Sequence, residues 1–147
     1  DLLRNEHRVV RIGDASVGII GVENYSAHPR FPKYGDMEAA TAGMPETDVT
    51  VLLSHDPTHW HDEITSRYPR VDLTLSGHTH GFQFGLEIPG MVKWSPVQYV
   101  YKQWAGMYRE GEQVLYVNRG LGYLGYPGRV GILPEITVLT LSVAEAQ

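Results

Sequence analysis

The sequence predicts an α/β protein whose last third is mostly β. Two observations lead to this prediction. In the first two thirds, short apolar runs at residues 49–53 and 71–75 flank a helix-like segment, as buried strands of an α/β sheet do. In the last third, short apolar runs are separated by many glycines, which are typical of turns. We therefore expect a mixed sheet with few helices, in a single domain spanning residues 1–147.

Two early elements follow from apolar runs and their flanking residues. Residues 9–12 and 17–22 are rich in Val and Ile and flank a Gly-Asp pair, which predicts a hairpin or two adjacent strands. Residues 36–42 predict a short helix, because Asp36 is a good N-cap and Gly43 a good stop signal.

The middle of the chain predicts a strand, a helix and a second strand. Residues 49–53 form a continuous apolar run, as in a strand covered on both faces. Residues 58–67 predict a helix, and the Tyr68-Pro69 pair ends it. Residues 71–75 predict the next strand.

Histidines follow both of these strands at the point where each ends. His55 comes soon after residues 49–53, whereas His78 and His80 lie in a Gly-His-Thr-His-Gly loop after residues 71–75. The carboxyl ends of parallel strands lie at one edge of a sheet, so we expect the three histidines at one rim. Neutral imidazole binds divalent transition metals, and glycines let the backbone turn tightly beside an ion. The pattern favours a metal site over a pair of hydrated surface histidines.

Other histidines have weaker contexts. His59 and His61 lie in the predicted helix and are expected to be solvated, with a supporting contact near the site as the alternative. His7 and His28 have no motif context, and we assign them no role.

The last third predicts further strands. Residues 84–88, 114–117 and 136–141 have strand-like patterns, whereas residues 97–104 fit a short helix or a strand equally well. An aromatic stretch is expected to pack in this β-rich layer, with a substrate cleft or a lipid-facing surface as the alternative. Its members are Trp94, Tyr99, Tyr101, Trp104 and Tyr108.

Composition narrows the classes of function. Apolar residues make up 42% and charged residues 20% of the 147 residues, so the chain has enough apolar surface to fold. The net charge is −5 and no basic stripe is present, which gives no support for a nucleic-acid partner. The absence of cysteine excludes disulfides and thiolate chemistry but fits both the cytoplasm and the cell envelope.

The histidine motifs carry a family resemblance. Ser54-His55-Asp56-Pro57 and residues 76–81 resemble the last two metal motifs of the calcineurin-like metallophosphoesterases. Residues 117–122, and Arg129 followed by residues 133–136, resemble the bacterial branch of YkuE- and YaeI-like enzymes. The similarity covers nearly the whole chain.

The resemblance implies a fold, a metal centre and a reaction. The family fold is an α/β/β/α sandwich, of which this chain resembles the C-terminal half. The centre holds two divalent or trivalent transition metals, often Mn, Fe or Zn. His55 and His78 resemble ligands of the second metal, and His80 resembles a ligand of the first. The two ions activate water and hold a phosphomonoester or phosphodiester substrate for in-line attack.

The sequence departs from the family in one large respect. The Asp-x-His, Gly-Asp-x-x-Asp and Gly-Asn-His-Asp/Glu motifs, which normally precede this region, are absent from the sequence. The acid/base histidine is expected upstream, so no catalytic residue is assigned here. The chain does not begin with Met and is interpreted as a fragment holding a partial metal site and inactive alone. A non-catalytic binding domain, or a metal site completed at an oligomer interface, is the alternative.

Three further expectations concern ligands and partners. Arg119 is a candidate for binding a phosphate oxygen, because its planar guanidinium suits that anion, with a surface ion pair as the alternative. A half-sheet leaves an open edge, so we expect self-association or domain swapping. Some members of the bacterial branch act on lipid-linked substrates, which makes membrane or lipid proximity and a cell-envelope location plausible.

Overall fold

The computed structural model describes residues 1–88 and 90–142 as a mixed α/β fold, which confirms the predicted class. The strands are β1 Glu6–Ile12, β2 Ala15–Gly21, β3 Val49–Leu53, β4 Leu73–Ser76, β5 Leu86–Ile88, β6 Val92–Trp94, β7 Gly106–Glu110 and β8 Gln113–Val117. The helices are α1 Met37–Thr41 and α2 Thr65–Arg67, with a π-helical turn at Trp60–Ile64 and 3-10 turns at His80–Gln83 and Pro96–Tyr99.

Six of the strands form one sheet in the order β1-β2-β3-β4-β8-β7, and β5 pairs with β6 in a separate hairpin. The sheet starts with the predicted hairpin, in which β1 and β2 pair antiparallel from Glu6↔Gly21 to Ile12↔Ala15. Gly13 has a φ of +62° in the connecting turn, a conformation that glycine adopts without steric cost.

The four central strands run parallel to one another. The register pairs Leu53 at the end of β3 with Leu75 near the end of β4. Backbone hydrogen bonds continue past both strands, from Ser54 N to Leu75 O at 3.1 Å and from Gly77 N to His55 O at 3.0 Å. The segments that follow β3 and β4 therefore leave the same edge side by side, as the sequence predicted.

One face of the sheet packs against the helices. The core comprises Ile20, Met37, Ala40, Leu52, Trp60, Ile64, Val71, Leu115 and Val117. Helix α1 is held by its predicted N-cap, since the Asp36 carboxylate accepts from Ala39 N at 2.9 Å. Trp60 and Ile64, one helical turn apart, both point into this core, where they are 2% and 0% exposed.

The opposite face of the sheet is apolar and only half covered. A groove of about 680 Å³ runs over it, lined in part by Val10, Ile19, Leu53 and Leu75, with His55 at its border. Leu53 is 41% exposed, although the sequence predicted a strand covered on both faces. The coverage is uneven because helix α1 and the π-helical turn at Trp60–Ile64 both contribute side chains to the core on the other face.

We expect this chain to self-associate, because an apolar sheet face and the outer strands β1 and β7 are open to other chains. Light scattering over a concentration series should show dimers or larger species. Replacing Leu53 with lysine should shift the distribution towards monomer, whereas a Tyr99→Lys control outside the groove should not. A wild-type chain that stays monodisperse and monomeric at all concentrations would contradict this expectation.

In the last third of the chain, the structure confirms some of the predicted elements and not others. Strands β5 and β8 lie within or overlap the predicted residues 84–88 and 114–117. For residues 97–104, the helical alternative is the one observed, as the 3-10 turn at Pro96–Tyr99. A second cluster of buried apolar residues lies here and comprises Val97, Tyr101, Trp104, Ala105 and Ile132.

The prediction of a strand over residues 136–141 is wrong, since this segment pairs with no strand among the described residues. Both edges of the neighbouring strand β8 are already occupied by β4 and β7. The segment is held instead by side chains, as Asn118 Nδ2 donates to Thr137 Oγ1 at 2.8 Å. Ile136 and Val138 are 79% and 86% exposed, so the apolar run here does not mark a buried strand.

Candidate metal centre

The structure brings together two of the three predicted metal ligands, His55 and His78. They follow the neighbouring parallel strands β3 and β4, and their rings meet edge to face. The Nδ1 atom of His78 lies 3.2 Å from the Nε2 atom of His55. Their juxtaposition follows from the sheet register, because each residue lies just beyond the end of its strand.

The two nitrogens are spaced as two ligands of one ion would be. Imidazole nitrogens bind zinc at about 2.0–2.1 Å, which in a tetrahedral site places two of them roughly 3.3 Å apart. The same separation allows an N–H···N hydrogen bond in the absence of an ion. The geometry therefore fits a shared ion, and the metal-binding role of the pair stays a prediction.

The second ring nitrogen of His78 faces two polar groups. Its Nε2 atom lies 2.7 Å from the Tyr101 hydroxyl and 3.6 Å from Asp56 Oδ2. Burial lowers the pKa of His78, although the Asp56 carboxylate opposes this change. A lowered pKa favours the neutral imidazole, which is the form that binds a metal.

His80 lies apart from this pair. Within residues 1–88 and 90–142, no three His, Asp or Glu side chains gather closely enough to hold an ion. The Nδ1 atom of His80 is buried and has no hydrogen-bond partner among the described residues. An unpaired buried nitrogen is costly, which fits a ligand whose partner is not a protein group of this chain. The role of His80 towards a different ion stays a prediction.

The loop that carries His78 and His80 has an unusual backbone. Among the described residues, five non-glycine residues have a positive φ, and four of these lie in this loop: His78, His80, Phe82 and Gln83. Such conformations cost about 1 kcal/mol or more each and persist where surrounding contacts hold them, often at functional sites. The strain is concentrated in the segment that carries two of the three predicted ligands.

Arg129 holds the other side of this loop. Its guanidinium donates to the carbonyl of His80 at 3.3 Å and to those of Arg119, Gly120 and Gly122, at 2.8, 3.1 and 2.7 Å. One side chain thus fastens the segment after β8 to the histidine loop. From the sequence, Arg129 was noted only for its resemblance to the bacterial branch. Its role in holding the loop could not be predicted, because its partner His80 is distant in the sequence.

Comparison with known proteins agrees with the histidine motifs. No family model matches the sequence. The chain is 42% identical to the uncharacterized metallophosphoesterase YkuE of Bacillus subtilis, over 94% of this chain and 45% of that protein. It is 36% identical to the phosphodiesterase YaeI of Escherichia coli, over 70% of this chain and 34% of that protein. The chain belongs to the metallophosphoesterase family.

The relatives of this metallophosphoesterase chain are longer than the chain itself. It spans less than half the length of YkuE and corresponds to the C-terminal part of such proteins. A transmembrane protein with a metallophosphoesterase domain from Danio rerio is 34% identical over 86% of this chain and 28% of that protein. Within residues 1–88 and 90–142, this chain has no helix that is long and apolar enough to cross a membrane.

Among solved structures, the chain resembles the sulfate thiohydrolase SoxB of Thermus thermophilus. The TM-score is 0.45 at 19% identity, over 76% of this chain and 19% of that structure. This likeness is too weak to add to the family assignment.

Arg119 forms the ion pairs that the sequence left as its alternative role. Its Nε atom donates to Glu135 at 2.8 Å, and its Nη1 atom donates to Glu87. The pairs are more enclosed than a surface pair, since the Arg119 and Glu135 side chains are only 15% and 12% exposed. The guanidinium is already engaged by two carboxylates, and phosphate binding by Arg119 stays a prediction.

The prediction that His59 is solvated is wrong. His59 is 0% exposed, and its ring stacks on Tyr25 with the centroids 3.8 Å apart. Its Nδ1 atom lies 2.8 Å from Ser54 Oγ, and its Nε2 atom lies 3.1 Å from Glu63. His59 thus supports Ser54, the residue before His55, which is the supporting contact near the site that the sequence left as the alternative. His61 is exposed, as predicted.

The aromatic stretch divides between packing and exposure. Tyr101 and Trp104 are 8% and 5% exposed and lie in the second core cluster, as expected for packing residues. Tyr99 and Trp94 are 78% and 37% exposed. The sequence missed the contact of Tyr101 with His78, because an aromatic residue in an apolar stretch gives no signal of a polar role.

Proposed function

We propose that this chain supplies part of the dinuclear metal centre of a phosphoesterase that hydrolyses a phosphomonoester or a phosphodiester. The observation that carries the proposal is the facing pair of nitrogens on His55 and His78, 3.2 Å apart at the edge of a parallel sheet. Family membership supports it, as does the name of the E. coli relative, a phosphodiesterase.

Each histidine has a distinct task in this proposal. His55 Nε2 and His78 Nδ1 would hold one ion, and His80, whose buried Nδ1 has no hydrogen-bond partner in the described part of the chain, would hold the other. Imidazole ligands suit Fe and Zn, and Mn is the third metal that the family resemblance implies. When bound, such ions supply Lewis-acid activation of water and of a phosphate group.

The remaining ligands and the acid/base histidine are proposed to lie in a longer polypeptide that contains this chain. Three imidazoles do not complete two coordination shells, because even a single structural zinc site takes four ligands. The relatives are long enough to hold the missing groups, since this chain spans 45% of YkuE. We therefore propose that the chain alone does not turn over phosphate esters efficiently.

The test compares this chain with a longer polypeptide that contains it, measuring metal content and hydrolysis of bis(p-nitrophenyl) phosphate in Mn²⁺. We expect activity only in the longer polypeptide. There, His55→Ala or His78→Ala should lower kcat/KM by more than about 100-fold, since even an outer-shell partner of a metal ligand is worth 10–100-fold. His61→Ala is the matched control and should behave as wild type, because His61 is exposed and forms its ion pair with the exposed Glu110.

Two outcomes would contradict the proposal. If the longer polypeptide keeps its metal content and activity after both ligand changes, the pair is not a metal site. If this chain is active alone, the catalytic groups lie among residues of this chain to which no role is assigned.

A further inference from the structure

Asp56 has a buried carboxylate whose two oxygens have different surroundings. The residue is 1% exposed. Its Oδ1 atom accepts hydrogen bonds from Thr58 N at 2.8 Å and Thr58 Oγ1 at 2.7 Å. Its Oδ2 atom is buried without a hydrogen-bond partner among the described residues. A buried carboxylate oxygen left without a donor is costly, so this oxygen calls for a nearby group that carries a proton.

One such group is the imidazole of His78. Asp56 Oδ2 lies 3.6 Å from His78 Nε2, beyond a hydrogen bond but within range of a strong electrostatic contact. The Tyr101 hydroxyl lies 2.7 Å from the same nitrogen and is held by the second core cluster. Both groups therefore face Nε2, on the opposite side of the ring from His55.

We propose that Asp56 and Tyr101 are positioning residues that hold His78 as the Nε2–H tautomer, so that the lone pair of Nδ1 faces His55 Nε2. The inference rests on the proposed metal-binding role of His78. A neutral imidazole carries one proton, and the partner of one ring nitrogen decides which nitrogen carries it. A carboxylate near Nε2 attracts that proton, and the Tyr101 oxygen can accept the hydrogen bond that Nε2–H then donates.

The alternative tautomer of His78 carries its proton on Nδ1 instead of Nε2. If the Tyr101 hydroxyl donates to Nε2, the imidazole proton sits on Nδ1 and points at His55. That tautomer blocks the nitrogen that would bind the ion. The two tautomers can be told apart in the metal-free protein, because a protonated ring nitrogen and an unprotonated one have very different nitrogen-15 chemical shifts.

The first test is nitrogen-15 NMR of His78 in the metal-free chain, with Co²⁺ affinity as the second readout. We expect Nε2 to be protonated in the wild type. Asp56→Asn should shift His78 towards the Nδ1–H tautomer, since the Asn side chain can keep the Oδ1 contacts with Thr58 while the carboxylate oxygen that faces Nε2 is replaced by an N–H group. The same change should weaken Co²⁺ binding by about 10–100-fold.

Two further variants separate positioning from stability. Tyr101→Phe should shift the tautomer in the same direction and weaken Co²⁺ binding, because it removes the acceptor at 2.7 Å. Asp62→Asn is the matched control, as it makes the same chemical change at a carboxylate bonded to Lys33 and Tyr25. It should leave both readouts of His78 unchanged.

A wild-type His78 protonated on Nδ1 would overturn the inference, as would an Asp56→Asn variant with an unchanged tautomer and unchanged Co²⁺ affinity. The tautomer is measured without metal or substrate, so this result does not depend on phosphoesterase activity. Conversely, if His55→Ala leaves metal binding intact, the proposed function fails while the tautomer measurement still stands.

Discussion

Replacing Trp60 with alanine is expected to lower the free energy of unfolding by about 3–5 kcal/mol, the usual cost of deleting a buried aromatic side chain. Trp60 is 2% exposed and packs between the helical segment and the sheet, in the same cluster as Leu52 and Leu115. A domain of this size is stable by roughly 5–15 kcal/mol, so the loss is a large part of the total. Urea unfolding followed by circular dichroism measures it.

Trp94→Ala is the matched control for this measurement. Trp94 is 37% exposed on strand β6, where it contacts Phe84 at the edge of the small hairpin. Its removal should cost less than about 1 kcal/mol, as for most partly exposed positions. Equal losses in the two variants would mean that the helical segment does not pack on the sheet as described.

Replacing Arg119 with methionine is expected to destabilise the chain by about 3–5 kcal/mol, because removal of one partner leaves the other charges enclosed and uncompensated. Two carboxylates depend on this guanidinium, those of Glu135 and Glu87. Thermal unfolding at neutral pH measures the loss. The control is Arg8→Met, since the pair of Arg8 with Glu6 is exposed and should contribute about 0–1 kcal/mol.

The contacts of Glu135 also predict how the stability of the chain depends on pH. Burial alone would raise the pKa of Glu135, but hydrogen bonds from Tyr116, Arg119 and Thr137 lower it to about 2, from a usual value of 4.5. A carboxylate with a lowered pKa in the folded state adds stability above its unfolded pKa. This contribution is lost as the pH falls from about 4.5 through about 2.

Arg119→Met should therefore reduce the acid sensitivity that Glu135 confers, because the pKa of Glu135 rises when the guanidinium is gone. The difference in stability between wild type and variant should shrink as the pH is lowered from 6 to about 3. A difference that stays constant over this range would show that the variant acts through packing and not through charge.

The sequence predicted the part of the fold that depends on neighbouring residues. The hairpin of β1 and β2 and the strands β3 and β4 were marked by apolar runs with turn or capping signals at their ends. The meeting of His55 and His78 followed from the rule that parallel strands end at one edge.

The errors arose where burial depends on distant parts of the chain. The apolar pattern of residues 136–141 is typical of a strand, but both edges of β8 are occupied, and no pattern within the segment reveals that. His59 lies on the inward face of its helix, which is decided by the packing of Trp60 and Ile64 on the sheet. Tyr101 is 23 residues from His78 in the sequence, so only the folded chain shows their contact.

The hydrogen bond from Gly77 N to His55 O determines how the histidine pair can respond to an ion. Ordering a residue's backbone costs about 1–2 kcal/mol of conformational entropy. Backbone hydrogen bonds beyond β3 and β4 order both ligand segments when the sheet folds, before any ion binds. Ion binding then has only side-chain rotations left to restrict. Differences in metal affinity among variants of this pair should therefore arise from the orientation and protonation of the imidazoles, and not from the ordering of a loop.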